Sequence, residues 1–245
     1  MSGTGAAAAA VPPPGDAART EDEERAAALE AGRLLFARPC RFVFAAQRLD
    51  MLPTMGAPEV AFCGRSNVGK SSLVNALTGQ NALARVSNTP GRTKQLNFFD
   101  LGEGRLTLVD MPGYGYAQAS KAVKADWQGL MFDFLRGRAT LRRVLLLMDA
   151  RIETKESDRA VADLLGEAAV PFQVVLTKAD GAKPWWLRRR QEEMAELVRK
   201  RTAAHPVVVT TSAETKAGIE DLRAEIAALS LPPGEAVPFP AGVAA

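Results

Sequence analysis

Nine residues, GRSNVGKSS at Gly64–Ser72, carry the most specific chemistry in the chain. They fit the pattern G-x-x-x-x-G-K-[ST], in which a glycine-rich loop joins a strand to a helix and cradles phosphates. The context is right: the apolar run EVAFC precedes the loop and SSLVNALTG, a helix ending on Gly79, follows it. Gly64 and Gly69 permit the tight turn. The successive amides of Arg65, Ser66, Asn67, Val68 and on to Ser72 can then form an anion nest, and the helix N-terminus adds its dipole. Lys70 is placed to reach the β- and γ-phosphates and Ser71 to ligate Mg²⁺. An incidental lysine beside a glycine turn would leave the whole spacing unexplained.

Two further stretches belong with this loop. In TLVDMPGYGYA an apolar strand ends at Asp110, followed by Met111, Pro112 and Gly113. Asp110 can hold Mg²⁺ through water, and the Gly113 amide can donate to a terminal phosphate and lose that bond on hydrolysis. Tyr114 then occupies the place where Ras-like hydrolases carry the glutamine that orients the attacking water. In LTKAD, Thr177, Lys178, Ala179 and Asp180 follow another buried strand. A carboxylate there accepts from guanine N1–H and N2–H₂ together, whereas adenine would present an acceptor to it, and the Lys178 stem can cover a base face. Thr211, Ser212 and Ala213 follow the last strand, with the Ala213 amide available to guanine O6. In order, at successive strand ends, these motifs converge on one crevice and favour GTP over ATP.

The elements that must position them alternate along the chain. A helix is expected over 20–38, acidic early and basic late, ended by Pro39. QLNFFDL and RLTLVD flank GEG as a hairpin. Helical segments KAVKADWQGLMFDFLR, KESDRAVADLLGEAA, WWLRRRQEEMAELVRKRT and GIEDLRAEIAAL alternate with the strands RRVLLLMDA, PFQVVLTKAD and HPVVVTTSA. Continuous apolar strands between helices indicate an α/β fold with both sheet faces covered. The expectation is a mainly parallel six-stranded sheet with one antiparallel hairpin strand. Residues 1–39 read as an extension, disordered at first and then helical; 40–230 as the globular domain; 231–245 as a disordered tail.

The 245 residues are 47% hydrophobic and 24% charged, ordinary for a globular protein, with no apolar run long enough to span a membrane. The alanine-rich start has no basic leader and reads as disordered. Cys40 and Cys63, the only cysteines, read as reduced thiols. The net charge of +3 is modest, but FLRGRATLRR and WWLRRRQ cluster arginines. Each cluster is either a contact for phosphate backbones or a solvated helix face. Trp185 and Trp186 either stack RNA bases or pack on the sheet. His205, the one histidine, has no catalytic or metal companion and reads as a loop residue.

The motifs GRSNVGKSS, ARVSNTPGRTKQLNFF, VDMPGYGYA, LTKAD and TSAETKAG resemble those of translation-factor-like GTPases, and most closely the EngB (YihA/YsxC) family of bacterial ribosome-assembly GTPases. The resemblance covers about residues 40–230. It implies a P-loop GTPase with a Ras-like G domain, binding GTP, GDP and Mg²⁺. It implies that Gly91, Arg92, Thr93, Lys94 and Gln95 belong to the nucleotide-responsive segment, with Thr93 completing the Mg²⁺ shell beside Ser71. The residues expected to act in hydrolysis are Lys70, Thr93, Gly113 and Asn67. Related GTPases with the same G-R-x-N-x-G-K-S pattern use this asparagine to hold K⁺ beside the phosphates; otherwise Asn67 braces the loop. Thr177 stands where most GTPases have asparagine, although threonine is usual in this group. The two reduced thiols suit a cytoplasmic protein, and a monomer is expected. The resemblance further implies action on the large ribosomal subunit or its precursor, both rRNA and protein. It also implies a link to septation and cell division. DNA is not among the expected partners. Two other readings stay open: a metabolic P-loop kinase, against which the base reader argues, and a septum-associated protein whose nucleotide site is structural.

Overall fold

The computed structural model describes residues 20–80, 83, 95–114, 131–237 and 239. Gly91, Arg92, Thr93 and Lys94 lie outside these residues, as does the whole of the segment KAVKADWQGL. The strands are β1 (Cys40–Ala46), β2 (Glu59–Gly64), β3 (Leu96–Leu101), β4 (Leu106–Asp110), β5 (Leu141–Asp149), β6 (Phe172–Thr177) and β7 (Val209–Thr210). The helices are α1 (Glu21–Phe36), α2 (Lys70–Thr78), the helical residues 131–137 as α3, α4 (Glu156–Glu167), α5 (Pro184–Arg199) and α6 (Ile219–Ala227).

The strands form one sheet in the order β1-β3-β4-β2-β5-β6-β7. Among the described strands β3 alone runs against the others, pairing antiparallel with both β1 and β4. The expected hairpin strand is therefore present, but among the described residues the sheet has seven strands, not six. The additional one is β1, an edge strand that exposes Arg41 and Phe42 and carries an irregularity between Phe42 and Phe44. Its partial exposure hides the alternation that marks a strand. At the other edge, β7 is two residues long where a longer strand is expected from HPVVVTTSA. There the Gln173 amide donates to the Val207 carbonyl at 3.1 Å, so a side chain replaces a ladder bond.

Central strands β2 and β6 are buried along their whole length, which is why their sequences are continuously apolar. One face packs Phe98, Phe134, Leu165, Met194 and Leu197 beneath α3, α4 and α5. The other packs Leu35, Phe36, Leu73, Leu77, Leu222 and Ile226 among α1, α2 and α6. Helix α1 starts in a capping box: the Thr20 amide donates to Glu23 Oε2 at 2.9 Å and the Glu23 amide to Thr20 Oγ1 at 3.3 Å. It lies close on α6, because a Cβ at Gly32 would stand 2.6 Å from the Ala224 nitrogen. Arg223 of α6 donates to the Leu77 and Ala76 carbonyls at 2.9 and 3.2 Å, capping the end of α2. Past α6 the chain stays attached: the amides of Leu231 and Val237 donate to the Arg105 and Gly104 carbonyls of the β3–β4 turn. That part of the expected disordered tail has a defined path.

The arginine clusters divide. Arg138 is buried and paired with Glu59. Arg143 bonds Gln173 and Glu225. Arg190 is fully buried, donating to Thr154 Oγ1 at 2.7 Å and to Glu193. These three hold the fold and cannot present charge to a phosphate backbone. Arg188 and Arg189 are exposed, as is Trp185, whereas Trp186 donates its Nε1–H to the Ala150 carbonyl at 2.9 Å.

Candidate nucleotide site

The loop from Gly64 to Lys70 leaves β2 at its C-terminal end and enters α2. Its turn requires left-handed backbone at Asn67 (φ 65°) and Gly69 (φ 97°), which glycine adopts freely and asparagine tolerates. Lys70 is the first residue of α2, and its ammonium pairs with the Asp110 carboxylate at the end of β4. The expected phosphate ligand and the expected Mg²⁺ ligand thus meet at one point. Burial lowers Lys70 to about 8 against the opposing influence of Cys63. Cys63 is itself raised to about 12 by burial, which keeps it a thiol.

The D-x-x-G turn lies directly on the loop. The Tyr114 amide donates to the Gly64 carbonyl at 3.2 Å, and the Ser66 amide to the Tyr114 carbonyl at 3.1 Å. A Cβ at Gly113 would stand 3.2 Å from the Ser66 nitrogen, so a glycine there allows the close approach. Tyr114 itself is turned away from the loop into the core. It is 5% exposed, and its hydroxyl donates to Asp158 Oδ1 at 3.0 Å.

The residues expected to read the base stand at three strand ends. Thr177 Oγ1 donates to the Val68 carbonyl at 2.6 Å, tying β6 to the phosphate loop. This is a structural use of the hydroxyl. Lys178 has left-handed backbone (φ 57°), and its stem lies over Gly69. Its ammonium bonds the Asn67 carbonyl and, at 3.1 Å, Asp149 Oδ2. Asp180 is exposed, with Oδ1 accepting from Ser212 Oγ at 2.5 Å. The Thr215 amide in turn donates to Ser212 Oγ at 3.0 Å, and the Ala179 amide to the Thr211 carbonyl at 3.1 Å. One carboxylate is thereby oriented on a rigid loop with its face to solvent.

Sequence reasoning missed Asp149. Burial pushes its carboxyl up, but hydrogen bonds from Arg151 and Lys178 outweigh this and hold it below its ordinary value. It fixes Lys178, the lysine expected to cover the base. The available signal was an acid ending the buried run RRVLLLMD at the same sheet edge as Asp110. Asp158 was missed as well, because nothing local distinguishes it from other helix-start acids.

A phosphate loop, an acid and a glycine sensor at the end of β4, and a carboxylate base reader beyond β6 on one sheet edge together define a P-loop GTPase. A family model described as "50S ribosome-binding GTPase" matches residues 59–178. The chain is 61% identical over 206 residues to a probable GTP-binding protein EngB of Gluconobacter oxydans, covering 84% of this chain and 90% of that protein. It is 62% identical over 205 residues to the EngB of Granulibacter bethesdensis, covering 84% and 92%. A crystal structure of a probable GTP-binding protein EngB superposes with a TM-score of 0.57 at 25% identity, covering 70% of this chain and 97% of that one. The chain belongs to the EngB family of GTP-binding proteins. Among the described residues no helix is long and apolar enough to cross a membrane.

Proposed function

We propose that this protein is a cytoplasmic GTP switch of low intrinsic turnover that acts, as a monomer, in assembly of the large ribosomal subunit, and through that is needed for normal division and septation. The observation that carries the reading is the direction of Tyr114. The residue after the sensor glycine points into the core at Asp158, so it cannot orient an attacking water as a glutamine does. A site so built binds GTP selectively and hydrolyses it slowly, which suits a checkpoint whose partner sets the rate. The family description as a 50S ribosome-binding GTPase supports that partner.

Within this reading Gly64, Arg65, Ser66, Asn67, Val68, Gly69, Lys70, Ser71 and Ser72 surround the phosphates, and Thr177 to Asp180 with Thr211 to Ala213 hold the base. The donor set suits Mg²⁺, a hard cation that takes oxygen ligands. The Asp110 carboxylate pairs with Lys70, the residue before Ser71 on α2, so Ser71 and Asp110 are the proposed holders; Thr93, outside the described residues, is expected as the third protein group. When bound, Mg²⁺ would supply positive charge to offset that of the phosphates. Lys70, paired with Asp110 here, would turn to the phosphate of a bound nucleotide.

The test is sedimentation with ribosomal particles in a non-hydrolysable GTP analogue and in GDP. Co-migration with the large subunit is expected only in the analogue. No co-migration in either state would remove the ribosome and leave a partner at the division site to be sought.

K⁺ is proposed to supply the positive charge that an arginine finger supplies elsewhere. Asn67 is exposed on a left-handed turn beside the phosphate position, which supports it as the holder. Turnover in KCl should exceed turnover in NaCl at equal ionic strength, and Asn67→Ala should abolish the difference. Equal rates in the two salts count against it.

A further inference from the structure

Asp158 is 4% exposed and joins three parts of the molecule. Its Oδ2 accepts from the Lys155 amide at 2.9 Å, closing the first turn of α4. Its Oδ1 accepts the Tyr114 hydroxyl at 3.0 Å. The Arg65 Nε of the phosphate loop stands 4.0 Å from the same oxygen. That Nε is buried and makes no hydrogen bond among the described residues. Burial, followed by the influence of Cys63 and Asp158, raises the Tyr114 phenol far above its ordinary value. It remains a donor throughout the physiological range.

We infer that Tyr114 is the positioning residue for the Gly113 amide, its hydroxyl latching the D-x-x-G turn to Asp158 so that the sensor stays in register with the phosphate loop. Two backbone hydrogen bonds already tie residue 114 to Gly64 and Ser66. Backbone bonds alone leave the peptide free to pivot about them. A buried side-chain bond to a charged acceptor on another element removes that freedom, and hydrogen bonds to charged groups are the stronger ones. Arg65 is the reserve partner. If the tyrosine hydroxyl is removed, its guanidinium needs to move only slightly to take the vacated oxygen, so the fold survives the loss. The tyrosine that cannot replace a water-orienting glutamine thus has a different task, aiming the phosphate sensor.

This inference rests on the GTPase reading, and the experiment separates the two. GTP turnover, and the affinities for GDP and for a non-hydrolysable GTP analogue, are measured for the full chain, Tyr114→Phe, Asp158→Asn and the double variant. Removing a hydrogen bond to a charged group corresponds to about tenfold or more. The expectation is therefore a fall in kcat of about tenfold in Tyr114→Phe, an equal loss of preference for the analogue over GDP, and unchanged GDP affinity. The double variant should be no worse than Asp158→Asn. A merely structural role moves the melting temperature and leaves kcat and the analogue-to-GDP ratio where they were. That result overturns the latch even if stability falls. Absence of turnover in the unaltered chain would overturn the GTPase reading instead.

Discussion

Asp180→Asn should lower affinity for GDP and GTP by about 10⁴-fold, the loss expected when a site built on specific hydrogen bonds meets a mismatched group. The carboxylate is acceptor-only and suits the paired N1–H and N2–H₂ donors of guanine. An amide places a donor against one of them. Xanthine carries an oxygen where guanine carries N2, so the amide has a partner there. Xanthosine diphosphate should therefore bind the variant better than GDP does. The loop should survive, because the Asn side-chain oxygen can still accept from Ser212, which Asp180 does at 2.5 Å. Competitive titration of both diphosphates against a fluorescent nucleotide measures this. A GDP affinity within tenfold of the original would show that Asp180 does not read the base.

Which parts of this site were legible depends on how far apart the interacting residues lie in sequence. The phosphate loop is contiguous, and its glycines, lysine and serine are required by local turn geometry, so GRSNVGKSS and its strand-to-helix setting were readable directly. The same holds for Asp110 with Gly113 and for Thr177 with Asp180, each at the end of an apolar strand. The supports were not readable. Asp149 meets Lys178 and Asp158 meets Tyr114 across 29 and 44 residues, and no local pattern announces such a partner. Thr177 stands in the sequence only as a threonine where most GTPases have asparagine; the approach of β6 to the loop is what shows its hydroxyl on the Val68 carbonyl. The fold class followed from buried parallel strands, whereas β1 escaped because an edge strand with Arg41 and Phe42 outward lacks a clean period.

The largest effect on stability should come from a residue that sequence placed on the surface. Arg138, in the basic stretch FLRGRATLRR, has its guanidinium on Glu59, with Nε to Oε2 at 2.9 Å and Nη2 to Oε1 at 2.6 Å. Its Nη1 donates to the Pro53 carbonyl at 2.6 Å. The two side chains are 6% and 2% exposed. Forming such a pair from water gains little, since desolvation offsets the attraction, but removing one partner leaves a buried charge uncompensated at a cost of about 3–5 kcal/mol. Arg138→Met should therefore lower the unfolding free energy by about that amount, or the melting temperature by roughly 6–20 °C for a domain of this size. Glu59→Leu combined with Arg138→Met should recover most of the loss, because an apolar pair leaves no buried charge uncompensated; the Pro53 carbonyl still loses its Nη1 donor, so part of the loss stays. Glu59 opens β2 at the sheet edge opposite the phosphate loop. GDP affinity measured well below the melting temperature should accordingly hold in the single variant. Denaturant unfolding decides the matter: a loss under about 1 kcal/mol is the value of an exposed pair, and would mean that water reaches this one.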